Sequence, residues 1–209
     1  MRLYVARHGE TDWNQAGRYQ GQRESSLTQR GIRQARALAQ AFYAADTDLD
    51  ALFTSPLSRC RDTAREFDRY PFAPVVDARL IEIAHGDWEG RLRESIERDD
   101  AERFLAWREQ PETVRFPGGE SLDDVRARWR AFIAGLDGYE AVAVITHDVL
   151  VRIAVLGASN RGLDRLWEPR VVNGGYAVLD LNGGAWALVE ECHDAHLDGL
   201  VADVSRQAL

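Results

Sequence analysis

Arg7-His8-Gly9-Glu10 follows directly on the short apolar run Leu3-Tyr4-Val5-Ala6. The run has the length and composition of a buried strand. A charged, glycine-bearing segment after such a strand lies at the carboxyl end of a sheet, where open α/β sheets place their ligands. A histidine with an arginine beside it can bring an imidazole and a guanidinium to one small anion. This points to phosphate chemistry with His8 as nucleophile, a neutral ring nitrogen accepting the phosphoryl group. Arg7 favours the neutral ring, because nearby positive charge opposes imidazolium. Taken alone, the histidine reads better as one that hydrogen-bonds within a strand-to-loop turn, so partners must come from elsewhere in the chain.

Four further segments supply them. Arg18-Tyr19-Gln20-Gly21 is followed by Leu27-Thr28-Gln29-Arg30-Gly31. Then come Ser55-Pro56-Leu57-Ser58-Arg59-Cys60-Arg61-Asp62-Thr63-Ala64 and Leu80-Ile81-Glu82-Ile83-Ala84-His85-Gly86-Asp87-Trp88-Glu89-Gly90. The last is Val144-Ile145-Thr146-His147-Asp148, with Arg152 downstream. In order and spacing these resemble the histidine phosphatase superfamily, the phosphoglycerate mutase-like proteins, from Arg2 to about Leu181. The Gln20-Gly21 segment, the Leu27-Thr28 element and Pro117-Gly118-Gly119-Glu120-Ser121 resemble the small phosphatase branch. Cofactor-dependent mutases carry a Phe-Thr-Gly-Trp-like segment where this chain has Tyr19-Gln20-Gly21-Gln22.

Phosphate-ester hydrolysis without a metal needs an in-line nucleophile, a cationic cradle and an acid for the leaving oxygen. His8 fills the first role. Arg7 and Arg59 are the expected clamps, as the resemblance implies. Arg59 also falls early in a helix expected to start at Ser55 as cap, with Pro56 at its first position. A solvated surface arginine is the alternative there. His147 is the expected second cradle histidine, protonated once the dianion is bound, or else a satisfied histidine at a strand end. Glu82 is the expected general acid. Its neighbours Leu80, Ile81, Ile83 and Trp88 are apolar, a setting that raises a carboxyl pKa toward neutrality; a surface strand glutamate is the alternative. Asn14, Gln20 and Gly21 match positions that the resemblance implies contact phosphate or substrate, with solvated loop residues as the other reading. His85 and Trp88 either shape the leaving-group side or pack. Asp148 stands where the family usually has glycine. It either faces the phosphate, weakening catalysis, or points away and caps the following helix, the preferred reading.

The elements that must position these groups alternate strand and helix. This argues a three-layer α/β sandwich, a mostly parallel sheet with helices on both faces. A helix is expected from Thr28 as cap to Ala45, with Ile32, Ala35, Leu38, Ala39 and Phe42 as its apolar stripe. Strands are expected at Asp50 to Thr54 and Val75-Val76. Residues 91–110 read as helical and interrupted. Ser121 with Asp124 makes a near capping box for a helix through about Leu136. Ala141 to Thr146 is a central strand, Val149 to Leu156 a helix, and Tyr176 to Glu190 a hairpin about Asn182-Gly183-Gly184. The whole, 1–209, reads as one domain, with 82–140 a helical insertion that lids the site.

Bulk composition sets the outer limits. The chain has 209 residues and a net charge of −8, a poor match for nucleic acid. All 26 basic residues are arginine, so Schiff-base chemistry and a phosphate-loop lysine are excluded, while planar two-point phosphate clamps remain. No apolar stretch suits a membrane span and the amino terminus reads as a strand, so a cytoplasmic setting is expected. Cys192-His193-Asp194-Ala195-His196 reads as a strand end rather than a metal site, and neither metal nor cofactor is expected. The expected activity is a metal-independent phosphatase acting on small phosphorylated metabolites through a phosphohistidine, releasing inorganic phosphate. The alternatives are a cofactor-dependent phosphoglycerate mutase or a catalytically weakened phospho-ligand binding protein. Specificity is expected from segment 82–120 with Trp13, Tyr19 and Trp107. A homodimer stays open, favoured if the terminal hairpin exposes apolar residues.

Overall fold

The computed structural model of the chain describes residues 1–204 together with Gln207 and Ala208; the last residue of the expected domain lies outside them. The described strands are β1 (Arg2–Arg7), β2 (Ala51–Thr54), β3 (Val75–Val76), β4 (Ala141–Thr146), β5 (Tyr176–Asn182) and β6 (Ala185–His193). They form one sheet in the order β3-β2-β4-β1-β5-β6. The first four in that order run parallel, and the terminal hairpin β5-β6 is added antiparallel. The mostly parallel sheet expected from the strand–helix alternation is present.

The helices are α1 (Asp12–Gln15), α2 (Gln29–Ala44), α3 (Ser58–Ala64), α4 (Arg93–Asp99), α5 (Ala101–Glu109), α6 (Leu122–Ile133) and α7 (Asp148–Ala158). Successive strand residues point to opposite faces, and the two cores follow that alternation. Leu3 and Val5 of β1 and Val142 and Val144 of β4 share one cluster with Val125 and Phe132 of α6 and Leu150 and Ile153 of α7. Ala6, Ala143 and Ile145 share the other with Leu38 and Phe42 of α2 and Cys60 and Ala64 of α3. The continuous apolar run of β4 is thus explained by burial on both sides.

Local signals place most boundaries. The Thr28 hydroxyl accepts the Gly31 N–H at 3.0 Å and starts α2; of its expected stripe, Ile32 is only half-buried. Asp124 accepts from both the N–H and the hydroxyl of Ser121, closing the capping box of α6, which ends at Ile133, short of Leu136. Residues 91–110 split into α4 and α5 at Asp100. Its carboxylate accepts the Trp88 indole N–H at 2.8 Å. One start is displaced. α3 begins at Ser58 with Leu57 as an extended cap, and Ser55 does not cap it. Leu57 keeps extended backbone, φ −70° and ψ 141°, so the first helical turn opens only after it, and the Ser55 hydroxyl is turned to His147 instead. No helix among the described residues is long and apolar enough to cross a membrane.

Candidate active site

Parallel registry builds the centre of the site. β1 and β4 pair from Arg2↔Ala141 to Arg7↔Thr146, so the residues just past each strand, His8 and His147, lie side by side. The His8 N–H donates to the Thr146 carbonyl at 3.0 Å, and the two imidazole centroids are 5.3 Å apart. Both rings are almost fully buried. His8 Nδ1 lies 2.7 Å from the Gly9 carbonyl. A carbonyl only accepts, so Nδ1 carries the proton and Nε2 keeps its lone pair. Burial, followed by the charges of Arg59 and Arg7, holds His8 well below the usual histidine range, which keeps it a neutral nucleophile.

His147 is tied by both nitrogens. Arg59 Nε donates to Nδ1 at 3.3 Å, and Nε2 lies 2.8 Å from the Ser55 hydroxyl. The ring is therefore the Nε2–H tautomer, donating to Ser55. Burial, then Arg59 and His8, holds it well below its ordinary pKa, which favours the neutral ring.

Arg59 donates through Nη1 to the Arg23 carbonyl and through Nη2 to the Gly21 carbonyl, both at 2.8 Å. Gly21 has φ +51°, a conformation that favours glycine in the turn that holds Arg59. Arg7 Nη2 donates to Gln207 Oε1 at 2.6 Å, and Nη1 lies 3.1 Å from Asp148 Oδ2.

Glu82 is 7% exposed and lines the same cleft as Arg7, His8, Gln20, Gly21, Arg59, His85 and Asp148. Burial raises its pKa, the Ile83 N–H bonded to Oε1 opposes this, and Asp148 adds to it. The result is a carboxyl pushed up to about 7. Burial thus lets Glu82 keep a proton far closer to neutrality than an exposed carboxyl does.

Other expectations divide. The Gln20 oxygen accepts from the Ser25 hydroxyl at 2.6 Å and lies 3.0 Å from the Thr11 hydroxyl, and the residue lines the cleft. Asn14 sits deeper, its oxygen accepting from Thr11 to cap α1 and its nitrogen donating to Gln207 Oε1 at 3.2 Å. His85 lines the cleft with both ring nitrogens buried and unpartnered, and burial holds its pKa down to about 3. Trp88 packs instead. So do Tyr19 and Trp107, set within 6 Å behind His85. Trp13 lies outside the cleft under the Arg18 guanidinium. These three do not line the cleft, contrary to the specificity expected of them. Asp148 does not cap α7 with its side chain. His147 is the cap residue, and the Asp148 carboxylate is drawn to Arg152 and Arg7.

Several site residues escaped the sequence reading. Ser55 holds His147. Thr63 accepts the Gly9 N–H at 3.1 Å. Asn173 donates to the His8 carbonyl and to the Asn14 oxygen. Gln207 bonds Arg7, Asn14 and Asn173 at once. Asn173 precedes Gly174-Gly175, a turn signal before β5 that could have flagged it; Gln207 carries no local signal at all.

Comparison with known proteins agrees with this geometry. The sequence profile described as histidine phosphatase superfamily (branch 1) matches residues 3–193. Phosphoserine phosphatase 1 of Hydrogenobacter thermophilus is 35% identical over 185 residues, 87% of this chain and 87% of that protein. The glucosyl-3-phosphoglycerate phosphatase of Mycobacterium tuberculosis is 40% identical over 198 residues, 89% of this chain and 86% of the other. Among solved structures, Bacillus stearothermophilus YhfR superposes with a TM-score of 0.86 at 30% identity, over 94% of this chain and 98% of that one.

Proposed function

The chain belongs to the histidine phosphatase superfamily and is a phosphomonoester hydrolase; we propose that it releases phosphate from small metabolites through a phosphohistidine on His8. The observation that carries this reading is a neutral His8 with Nε2 unprotonated, beside His147 and two arginines, in a cleft that also holds a protonatable Glu82.

The steps follow from these groups. The His8 Nε2 lone pair attacks phosphorus while the bond to the ester oxygen breaks. The Glu82 proton passes to that oxygen, and the alcohol leaves. Arg7 and Arg59 hold the equatorial oxygens, where charge accumulates. The bound dianion favours imidazolium, so His147 Nδ1 takes a proton from water as the phosphate arrives, exchanging its bond from Arg59 Nε for that proton, and gives it back when the phosphate leaves. In the second half, the Glu82 carboxylate takes a proton from water, the hydroxide oxygen attacks phosphorus and the P–N bond breaks. Free phosphate, neutral His8 and protonated Glu82 result.

The named activities of the relatives, on phosphoserine and on glucosyl-3-phosphoglycerate, support a small phosphorylated metabolite as substrate. Segment 82–140 serves as the lid of a single domain, with Glu82 and His85 its contributions to the cleft. Gln20 and Gly21 serve the phosphate, the first by its amide nitrogen and the second by seating Arg59. The reading as a weakened binding protein rested on Asp148, but that charge is matched by Arg7 and Arg152.

Rapid acid-free quenching during turnover should trap an acid-labile, alkali-stable phosphoenzyme that His8→Ala does not form. A panel of phosphorylated metabolites should release phosphate with EDTA present. With 3-phosphoglycerate and catalytic bisphosphoglycerate the product should be phosphate, not an isomer. Absence of the phosphoenzyme, or activity abolished by chelator, would overturn the proposal.

A further inference from the structure

At the rim of the cleft two guanidinium groups converge on one buried carboxylate. Arg152 Nε donates to Asp148 Oδ1 at 2.5 Å, and Arg7 Nη1 lies 3.1 Å from Oδ2. Arg152 is itself fixed, donating through Nη1 to the carbonyls of Pro169 at 2.6 Å and Leu166 at 3.3 Å. The Trp167 ring lies 5.1 Å from its guanidinium carbon. The Arg7 contact is of another kind. It is close but out of line, and Arg7 Nε, Arg7 Nη1 and Asp148 Oδ2 are buried without hydrogen-bond partners. Beyond the Nη2 bond to Gln207, charge holds this guanidinium, and its Nε and Nη1 keep their hydrogens unbonded. Buried donors left in this state are costly unless function supplies the acceptor.

We propose that Asp148 is a positioning residue: anchored by Arg152, it holds the Arg7 guanidinium by charge so that Nε and Nη1 face the phosphoryl group, and it tempers the positive cradle so that product phosphate leaves. This rests on the phosphatase reading above. Without Asp148, the three guanidinium groups of Arg7, Arg59 and Arg152 would stand together with no fixed counter-charge at that rim, and phosphate would be held too tightly.

The same charge reaches Glu82. The groups facing that carboxyl are Asp148 from α7, Arg7 and His8 at the end of β1, Arg59 and Cys60 from α3, Arg128 from α6 and His85 from the lid. Asp148 is the fixed negative charge of this set, and it favours the protonated acid. Burial pushes Asp148 itself upward, but Arg152 and Arg7 more than offset this and keep it ionised.

Asp148→Asn keeps the shape and removes the charge. It should lower kcat roughly tenfold through a loosened Arg7. It should also tighten inhibition by inorganic phosphate several-fold and move the basic limb of the kcat profile down by roughly one pH unit. The sign follows from losing a negative neighbour, which lets Glu82 ionise earlier. Asp148→Glu, charged but longer, should restore the limb without restoring kcat. Arg152→Met, which removes the anchor and leaves the charge, should lower kcat without moving the limb downward. It gives a second reading if the Asn variant does not fold. A folded Asn variant with unchanged limb and unchanged phosphate affinity would sink the proposal. If it does so while wild-type turnover still depends on His8, the reaction assignment stands and only the role of Asp148 falls. Calorimetric binding of inorganic phosphate to wild type and the Asn variant reads the cradle charge without any turnover, so equal affinities there overturn it independently.

Discussion

The two sides of the cleft are built on different plans. The phosphate side hangs on the ends of β1 and β4, and there His8, His147 and Arg59 are held by protein partners while Arg7 keeps two nitrogens unbonded. Arg59 is held by two carbonyls and His147, His147 by Arg59 and Ser55, and His8 by Gly9. The leaving-group side belongs to the segment after Glu82. Its His85 has no polar partner and is backed by rings, Phe116 at 4.8 Å, Tyr19 at 5.1 Å and Trp107 at 5.9 Å. Parallel strands buried on both faces give a rigid frame for charge that must be preorganised. An aromatic wall with one unsatisfied imidazole gives shape and a single polar contact, which is what selecting among esters requires.

Breaking the phosphate side should cost most. His8→Ala should lower kcat by about five orders of magnitude or more, as loss of a covalent nucleophile does, for every ester alike. Arg59→Met should cost on the order of 10²–10³ in kcat, the scale for one transition-state donor, again with little regard to the leaving group. The acid at the boundary should behave differently. Glu82→Gln should slow alkyl phosphates by on the order of 10²-fold or more and spare nitrophenyl phosphate, whose departing oxygen scarcely needs a proton. Because the protonated form acts, wild-type kcat on alkyl esters should fall as pH rises through about 7, the value set chiefly by burial, and the Gln variant should lose that limb. Equal losses on both ester types would remove the general-acid role.

On the other side, His85→Phe should alter KM several-fold, by amounts that differ between substrates, and leave phosphoenzyme formation from nitrophenyl phosphate nearly intact. Gly86→Ala would sharpen the contrast. Gly86 has φ +53°, and a Cβ would meet the Pro117 carbonyl at 1.9 Å. The change should cost roughly 1–3 kcal/mol in thermal or denaturant unfolding, with specificity disturbed more than kcat on nitrophenyl phosphate. Uniform losses across all esters in either variant would show that the two sides are not separable.

Much of this was legible in the chain. Arg7, His8 and His147 could be singled out from residue type and their place after apolar runs, and Glu82 from its apolar neighbours, whereas Arg59 stood out from the other arginines only through the family resemblance of its segment. The cap at Thr28 and the box at Ser121 were readable because capping is a contact across three residues. Tyr19 and Trp107 were harder. An aromatic residue in the right segment may line a cleft or stand one layer behind it, and only packing separates the two; here both stand behind His85. Asp148 was read locally as a helix acid, which its place in the first turn allows, but Arg152 one turn on and the distant Arg7 outcompeted the backbone for its carboxylate.

Sequence by itself determined the period-two strands, the chemical types that end them and the general order of the layers, since these depend on short-range periodicity and composition. Tertiary structure alone decided that β1 and β4 pair in a register that seats His8 beside His147, that Ser55 serves a histidine rather than a helix, and that Gln207 reaches Arg7 across nearly the full length of the chain. Such contacts carry no local signature, because their energy comes from groups that meet only when the sheet has closed around them.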